Sequence, residues 1–104
     1  MRVPSGFVRQ AEIAASVAAV EQELAPDVVR IRYDIGPDWS DESSIFFRIV
    51  LSDDASREER LAEVTRRAAS QLLEALMPAE LGLLPYFSFR SQSEQKILRE
   101  EAWA

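Results

Sequence analysis

"DVVRIRYDIGPDWSDESSIFFRIVL", residues 27–51, is the stretch on which the fold turns. From Asp27 to Ile35 it alternates. Val29, Ile31, Tyr33 and Ile35 point one way, and Arg30, Arg32 and Asp34 the other, as in a strand with one buried and one polar face. Gly36-Pro37 breaks the run. After an acidic, serine-bearing loop, Ile45 to Leu51 alternate again, but both sets are now largely apolar: Ile45, Phe47, Ile49 and Leu51 against Phe46, Arg48 and Val50. A strand apolar on both faces is expected at the centre of a sheet. Arg48 is its odd member, expected over an acid such as Asp34 or at an opening in the surface.

Helical periodicity flanks this pair. Before it, Ile13, Val17, Val20 and Leu24 form one stripe of a helix expected over Phe7–Leu24, with Ser5 as candidate cap and Ala25-Pro26 as stop. After it, Leu61, Val64, Ala68, Leu72 and Ala75 mark a helix from Arg57 to about Met77. "SREE" (Ser56–Glu59) has the form of a capping box, Glu63 and Arg67 are spaced for an ion pair, and Pro78 stops the helix. "YFSFR" (Tyr86–Arg90) reads as a third strand with Phe87 and Phe89 on one face. "SQSE" (Ser91–Glu94) is a second capping box, for a helix over Glu94–Trp103. The expectation is a single α+β domain over residues 1–104. It is a two-layer sandwich with a three-stranded sheet, helices on one face and the order α-β-β-α-β-α.

Composition narrows the function. The chain of 104 residues fits one domain, with neither cysteine nor histidine, so disulfides, thiolate metal sites and the commonest general base are excluded. Eighteen acids against twelve bases give a net charge of −6, which argues against a general nucleic-acid binder. No apolar run is long enough for a membrane span. Arg9, Gln10 and Glu12 interrupt what would be the apolar part of a signal peptide, so the cytoplasm is the expected location. No metal and no cofactor are expected.

The candidate site residues lie in three stretches and on the polar side of the strands. In the loop, Asp38, Asp41 and Glu42 are either cation ligands or ordinary turn residues, and Trp39 either anchors a partner or folds back as a lid. Asp53 and Asp54 favour the positive end of the following helix. Arg90, Ser91 and Ser93, at the end of the third strand, form a candidate anion site or a plain helix cap. The candidate partner-binding set is Arg32, Asp38, Trp39, Asp41, Arg48 and Arg90. An apolar edge on so small a sheet favours a homodimer.

Two segments, "AEIAASVAAVEQELAPDVVRIRYDIG" (11–36) and "DESSIFFRIVLSDDASREERLAEVTRRAASQLLEAL" (41–76), resemble the minimal, antitoxin-associated bacterial nucleotidyltransferases in element order and hydrophobic pattern. That resemblance implies a nucleotidyltransferase-like fold but not its chemistry. The family's turn has glycine followed by serine, whereas Gly36 is followed by Pro37. The family's paired aspartates fall on Ser44 and Phe46, or on Ile45 and Phe47, so the resemblance implies an inactive version. With its "RIRYDIG", "IFFRIVLSD" and "YFSFRSQSEQ" segments the chain is also similar to small bacterial proteins that accompany HEPN-type ribonucleases. This implies a non-catalytic, antitoxin-like protein with a HEPN-type partner. Two other readings stand beside it. One is a nucleotide- or RNA-binding module of KH-like topology, lacking the expected glycine-rich clamp. The other is an active magnesium-dependent transferase using Asp38, Asp41, Asp53 or Asp54.

Overall fold

The structure is a computed structural model that describes residues 9–104. The expected cap Ser5 and the helix start at Phe7 lie outside the described residues. The strand pair forms as its alternation requires. β1 (Val28–Pro37) and β2 (Ser43–Leu51) are antiparallel, with Ile31 opposite Ile49, Tyr33 opposite Phe47 and Asp34 opposite Phe46. One residue is out of step. The register shifts between Val28 and Arg30, so Val28 rather than the expected Val29 enters the core. An extra residue in one strand reverses the facing of everything before it, which is why strict alternation fails at this point.

β3 (Leu84–Ser91) lies parallel to β2 on its other side, giving the order β1-β2-β3 with β2 central. Parallel neighbours need a long crossover, which α2 (Glu58–Leu76) supplies. α1 (Gln10–Glu23) packs beside α2 on the same side of the sheet. Ile13, Val17, Val20 and Leu24 of the first helical stretch meet Val64, Ala68 and Leu72 of α2 over Ile45, Phe47 and Ile49. The Phe47 and Phe87 rings stack at 5.2 Å within this core.

α2 departs from its sequence reading at both ends. Its N-cap is Arg57, without a side-chain cap bond, because residues 53–56 already coil in turns. The Ser56 hydroxyl donates back to the Ser52 carbonyl at 2.8 Å, so the "SREE" box does not form. At the far end Leu76, not Ala75, is buried, and Leu61 is exposed. Arg67 reaches toward Asp27, at 3.7 Å, in place of Glu63. Met77 ends the helix in the left-handed region at φ 48°, its N–H donating to the Leu73 carbonyl.

The second capping box does form. Ser91 Oγ accepts from the Glu94 N–H and Glu94 Oε1 accepts from the Ser91 N–H, both at 3.1 Å. The helix it starts, α3 (Gln92–Leu98), stops short of the expected Trp103 because Arg99 turns left-handed at φ 52°. A 3-10 turn, Glu101–Trp103, follows. This turn corrects the expectation of helices on one face only. Arg32 Nε donates to the Ala104 carbonyl at 2.6 Å, and the Arg90 guanidinium lies 4.3 Å over the Trp103 ring. Arg32 and Arg90 share the face opposite the core, so the C-terminal segment covers that second face. Val50 points the same way, away from the main core, yet is only 3% exposed, and Gln92, Gln95 and Lys96 of α3 line a groove with it, so burial of apolar surface favours a cover on this face as well.

The outer edge of β1 is also occupied. Glu21, on α1, accepts a 2.7 Å hydrogen bond from the Ile31 N–H.

Candidate functional site

The second face of the sheet carries Arg30, Arg32 and Asp34 from β1, Phe46, Arg48 and Val50 from β2, and Leu84, Tyr86 and Arg90 from β3. It divides into halves. One half, around Val50 and Arg90, lies under the C-terminal segment, where Trp103 is buried. The other, around Phe46 and Tyr86, is open and is bordered by the β1–β2 loop.

That loop is held by Asp38. Its Oδ1 accepts from the Ser40 N–H and the Ser40 hydroxyl, both at 2.8 Å, and from the Glu42 N–H at 3.1 Å. Its Oδ2 accepts from the Tyr86 hydroxyl at 2.7 Å. Desolvation opposes the charge, but the bonds from Tyr86, Ser40 and Glu42 outweigh it and hold the carboxyl down at about 2. The same bond, with partial desolvation, pushes the Tyr86 phenol up. Asp38 is therefore the tie between loop and sheet. Asp41, at φ 66°, makes the sharp return of the chain.

So anchored, the loop leaves Trp39 84% exposed, with its ring 5.4 Å from that of Tyr86 at a 56° tilt. Tyr86 stacks in turn on Phe46 at 5.3 Å and 15°. The result is a row of three rings across the open half. Of the two roles open to Trp39, the lid is the one the structure does not make, because a lid would be buried. Sequence reading placed Phe46 and Arg48 on one face but missed the row. The cross-strand register that sets Tyr86 beside Phe46 is a parallel pairing across the α2 crossover, and no local pattern signals it.

The predicted site residues do not converge on one cleft. Asp38, Trp39 and Asp41 sit at the start of β2, and Arg48 lies partway along it in an ion pair with Asp34. Arg90 lies under the C-terminal segment, and Arg32, itself exposed, holds the Ala104 carbonyl at its edge. Arg90 donates to Gln95 Oε1 at 3.1 Å and Glu100 Oε1 at 3.0 Å. Asp53 and Asp54 follow the far end of β2, roughly 26 Å of extended strand from the loop acids. Asp53 accepts from the Ser93 N–H at 3.0 Å and the Ser93 hydroxyl at 2.7 Å, which lowers its pKa. Asp54 pairs with Arg60 at 2.5 Å.

The groups of the predicted anion site are thus taken up by the chain itself: the Ser91 hydroxyl accepts from the Glu94 N–H while its own N–H donates to Glu94, Ser93 donates to Asp53, and Arg90 donates to Gln95 and Glu100. A groove of about 600 Å³ between α2 and β3 reaches Arg90 and Ser91, but Glu58 and Glu94 line it as well, the wrong sign for an anion. Among the described residues no three His, Cys, Asp or Glu side chains group as a metal site would, and no helix is long and apolar enough to cross a membrane. No protein-family model matches the chain, and no curated protein matches its sequence.

Proposed function

We propose that this chain is a non-catalytic interaction protein with a degenerate nucleotidyltransferase-like fold, an antitoxin-like partner of a HEPN-type ribonuclease in the cytoplasm. It docks through the open half of the second sheet face. The observation that carries this reading is Trp39, exposed over 84% of its surface and backed by Tyr86 and Phe46 on a loop that Asp38 ties down. Large aromatics held rigidly in the open are what interface hot spots are made of, because they release much water at little entropic cost. The resemblance supplies the class of partner.

Absence of catalysis is supported by the positions where the family carries aspartates. Ser44 is buried and donates to the Glu42 carbonyl, Ile45 and Phe47 are in the core, and Phe46 belongs to the aromatic row. The separation of the loop acids from Asp53 and Asp54 argues against the active transferase. The outer edge of β3, beside half-buried Phe87 and Phe89, is the edge a homodimer would use.

Affinity capture from the natural host, scored by mass spectrometry for a HEPN-type protein, tests the reading. Wild-type bait recovers such a protein and Trp39→Ala bait loses it; recovery of none from wild type rejects the assignment.

The aromatic row also favours a second reading, a single-stranded RNA or nucleotide platform, since bases stack on exposed rings. Titration with labelled RNA at low and moderate salt decides it, and flat curves remove it.

A further inference from the structure

The open half of the second sheet face has a definite charge. Asp34, Asp38, Asp41 and Glu42 border its ring row, against the guanidiniums of Arg48, engaged by Asp34, and of Arg32, opposite Arg48 in register and turned to the Ala104 carbonyl. Asp41 and Glu42 are exposed and make no side-chain ion pair among the described residues. Phosphate would meet carboxylates here, whereas a cation would meet both carboxylates and the negative faces of Trp39 and Tyr86.

The molecule already holds a cation this way on the neighbouring half. There the Arg90 guanidinium lies 4.3 Å over the Trp103 ring while its Nη2 donates to Glu100 at 3.0 Å. An indole face and a carboxylate together grip one guanidinium. On the open half the indole of Trp39 and the carboxylates of Asp41 and Glu42 stand on one loop, and no guanidinium of the described residues lies over that indole.

We propose that the Trp39 loop and the ring row receive an arginine-bearing basic segment of a protein partner. The guanidinium lies over Trp39 within reach of Asp41 and Glu42, and the aliphatic stem of the arginine covers Tyr86 and Leu84. The assignment names the chemistry of the docking face in the function proposed above and rests on that function being a protein contact.

The test is calorimetric titration of the full chain with an eight-residue peptide of alternating arginine and serine. A glutamate–serine peptide and oligouridylate serve as competing chemistries. The arginine peptide binds and shifts Trp39 emission, Trp39→Ala weakens it about tenfold, and the double variant Asp41→Asn, Glu42→Gln weakens it and flattens its salt dependence. Circular dichroism of the variants establishes that each is folded, as expected for exposed positions. No arginine-peptide binding at low salt overturns the proposal. So does binding that Trp39→Ala leaves unchanged, which is diffuse attraction to a net negative protein, and so does preference for oligouridylate. The two ideas fail separately. HEPN-type capture without peptide binding removes the basic chemistry and keeps the function. Peptide binding without such capture keeps the docking chemistry and removes the antitoxin assignment.

Discussion

Replacing Trp103 with alanine tests whether the C-terminal segment is part of the folded core or an ornament on it. The ring is 7% exposed and sits under Arg90 at 4.3 Å. A tryptophan buries up to about 250 Å², which at about 25 cal/mol per Å² is an upper limit near 6 kcal/mol. Compactness of the unfolded chain lowers that figure, and a 3-10 turn of three residues relaxes more easily than a helix into the space left behind. The loss expected is therefore about 3 kcal/mol, the low end for a large aromatic truncated to alanine. Urea unfolding followed by far-ultraviolet circular dichroism reads it without depending on tryptophan emission. With a slope of about 1 kcal/mol per molar urea, the midpoint falls by about 3 M. Trp39→Ala is the control and changes stability by less than about 0.5 kcal/mol, as surface substitutions do. A similarly small loss for Trp103→Ala would refute the covering role.

The two tryptophans also report separately. In a Trp103→Phe variant the remaining indole is strongly quenched by acrylamide, and in Trp39→Phe it is protected; equal quenching contradicts the half-covered sheet. The Asp38 carboxyl, held at about 2 against an ordinary 3.8, contributes to folding above pH about 4, and that contribution fades as pH falls toward 2. Carbon-detected NMR titration locates its midpoint, and Tyr86→Phe raises it; an unmoved midpoint means the loop is not tied to the sheet. Leu72→Ala costs about 2–5 kcal/mol and Leu61→Ala about 1 kcal/mol, measured by the same urea melts. The reverse order means that α2 is rotated about its axis.

The strands and the two long helices were legible because each carries a local period that burial enforces. Ile13, Val17, Val20 and Leu24 read correctly because helix spacing and core facing coincide along one segment. The errors fall where a distant residue decides. Val29 lost its place to Val28 through a bulge that alternation cannot announce. Ser56 has the right residue type and spacing for a capping box, but the turn before it takes its hydroxyl. Trp103 reads as the end of a helix because nothing near it in sequence reveals the left-handed turn at Arg99 or the Arg90 guanidinium that its ring meets. The candidate loop was legible as a loop and Trp39 as its odd residue. Arg32 and Arg90 were grouped with it because strand alternation gives the face and not the position along it.

The carboxylate of Glu21 on the Ile31 N–H has a consequence for crowding. Together with the Val29 bulge it denies the outer side of β1 to any incoming strand. On β3 the matching contact is confined to the last residue, where Glu94 accepts from the Ser91 N–H, and no side chain of the described residues bonds the backbone of the rest of its outer side. Two molecules that meet there across a two-fold axis present guarded flanks to the solvent, so growth ends at a pair instead of running on into a fibre.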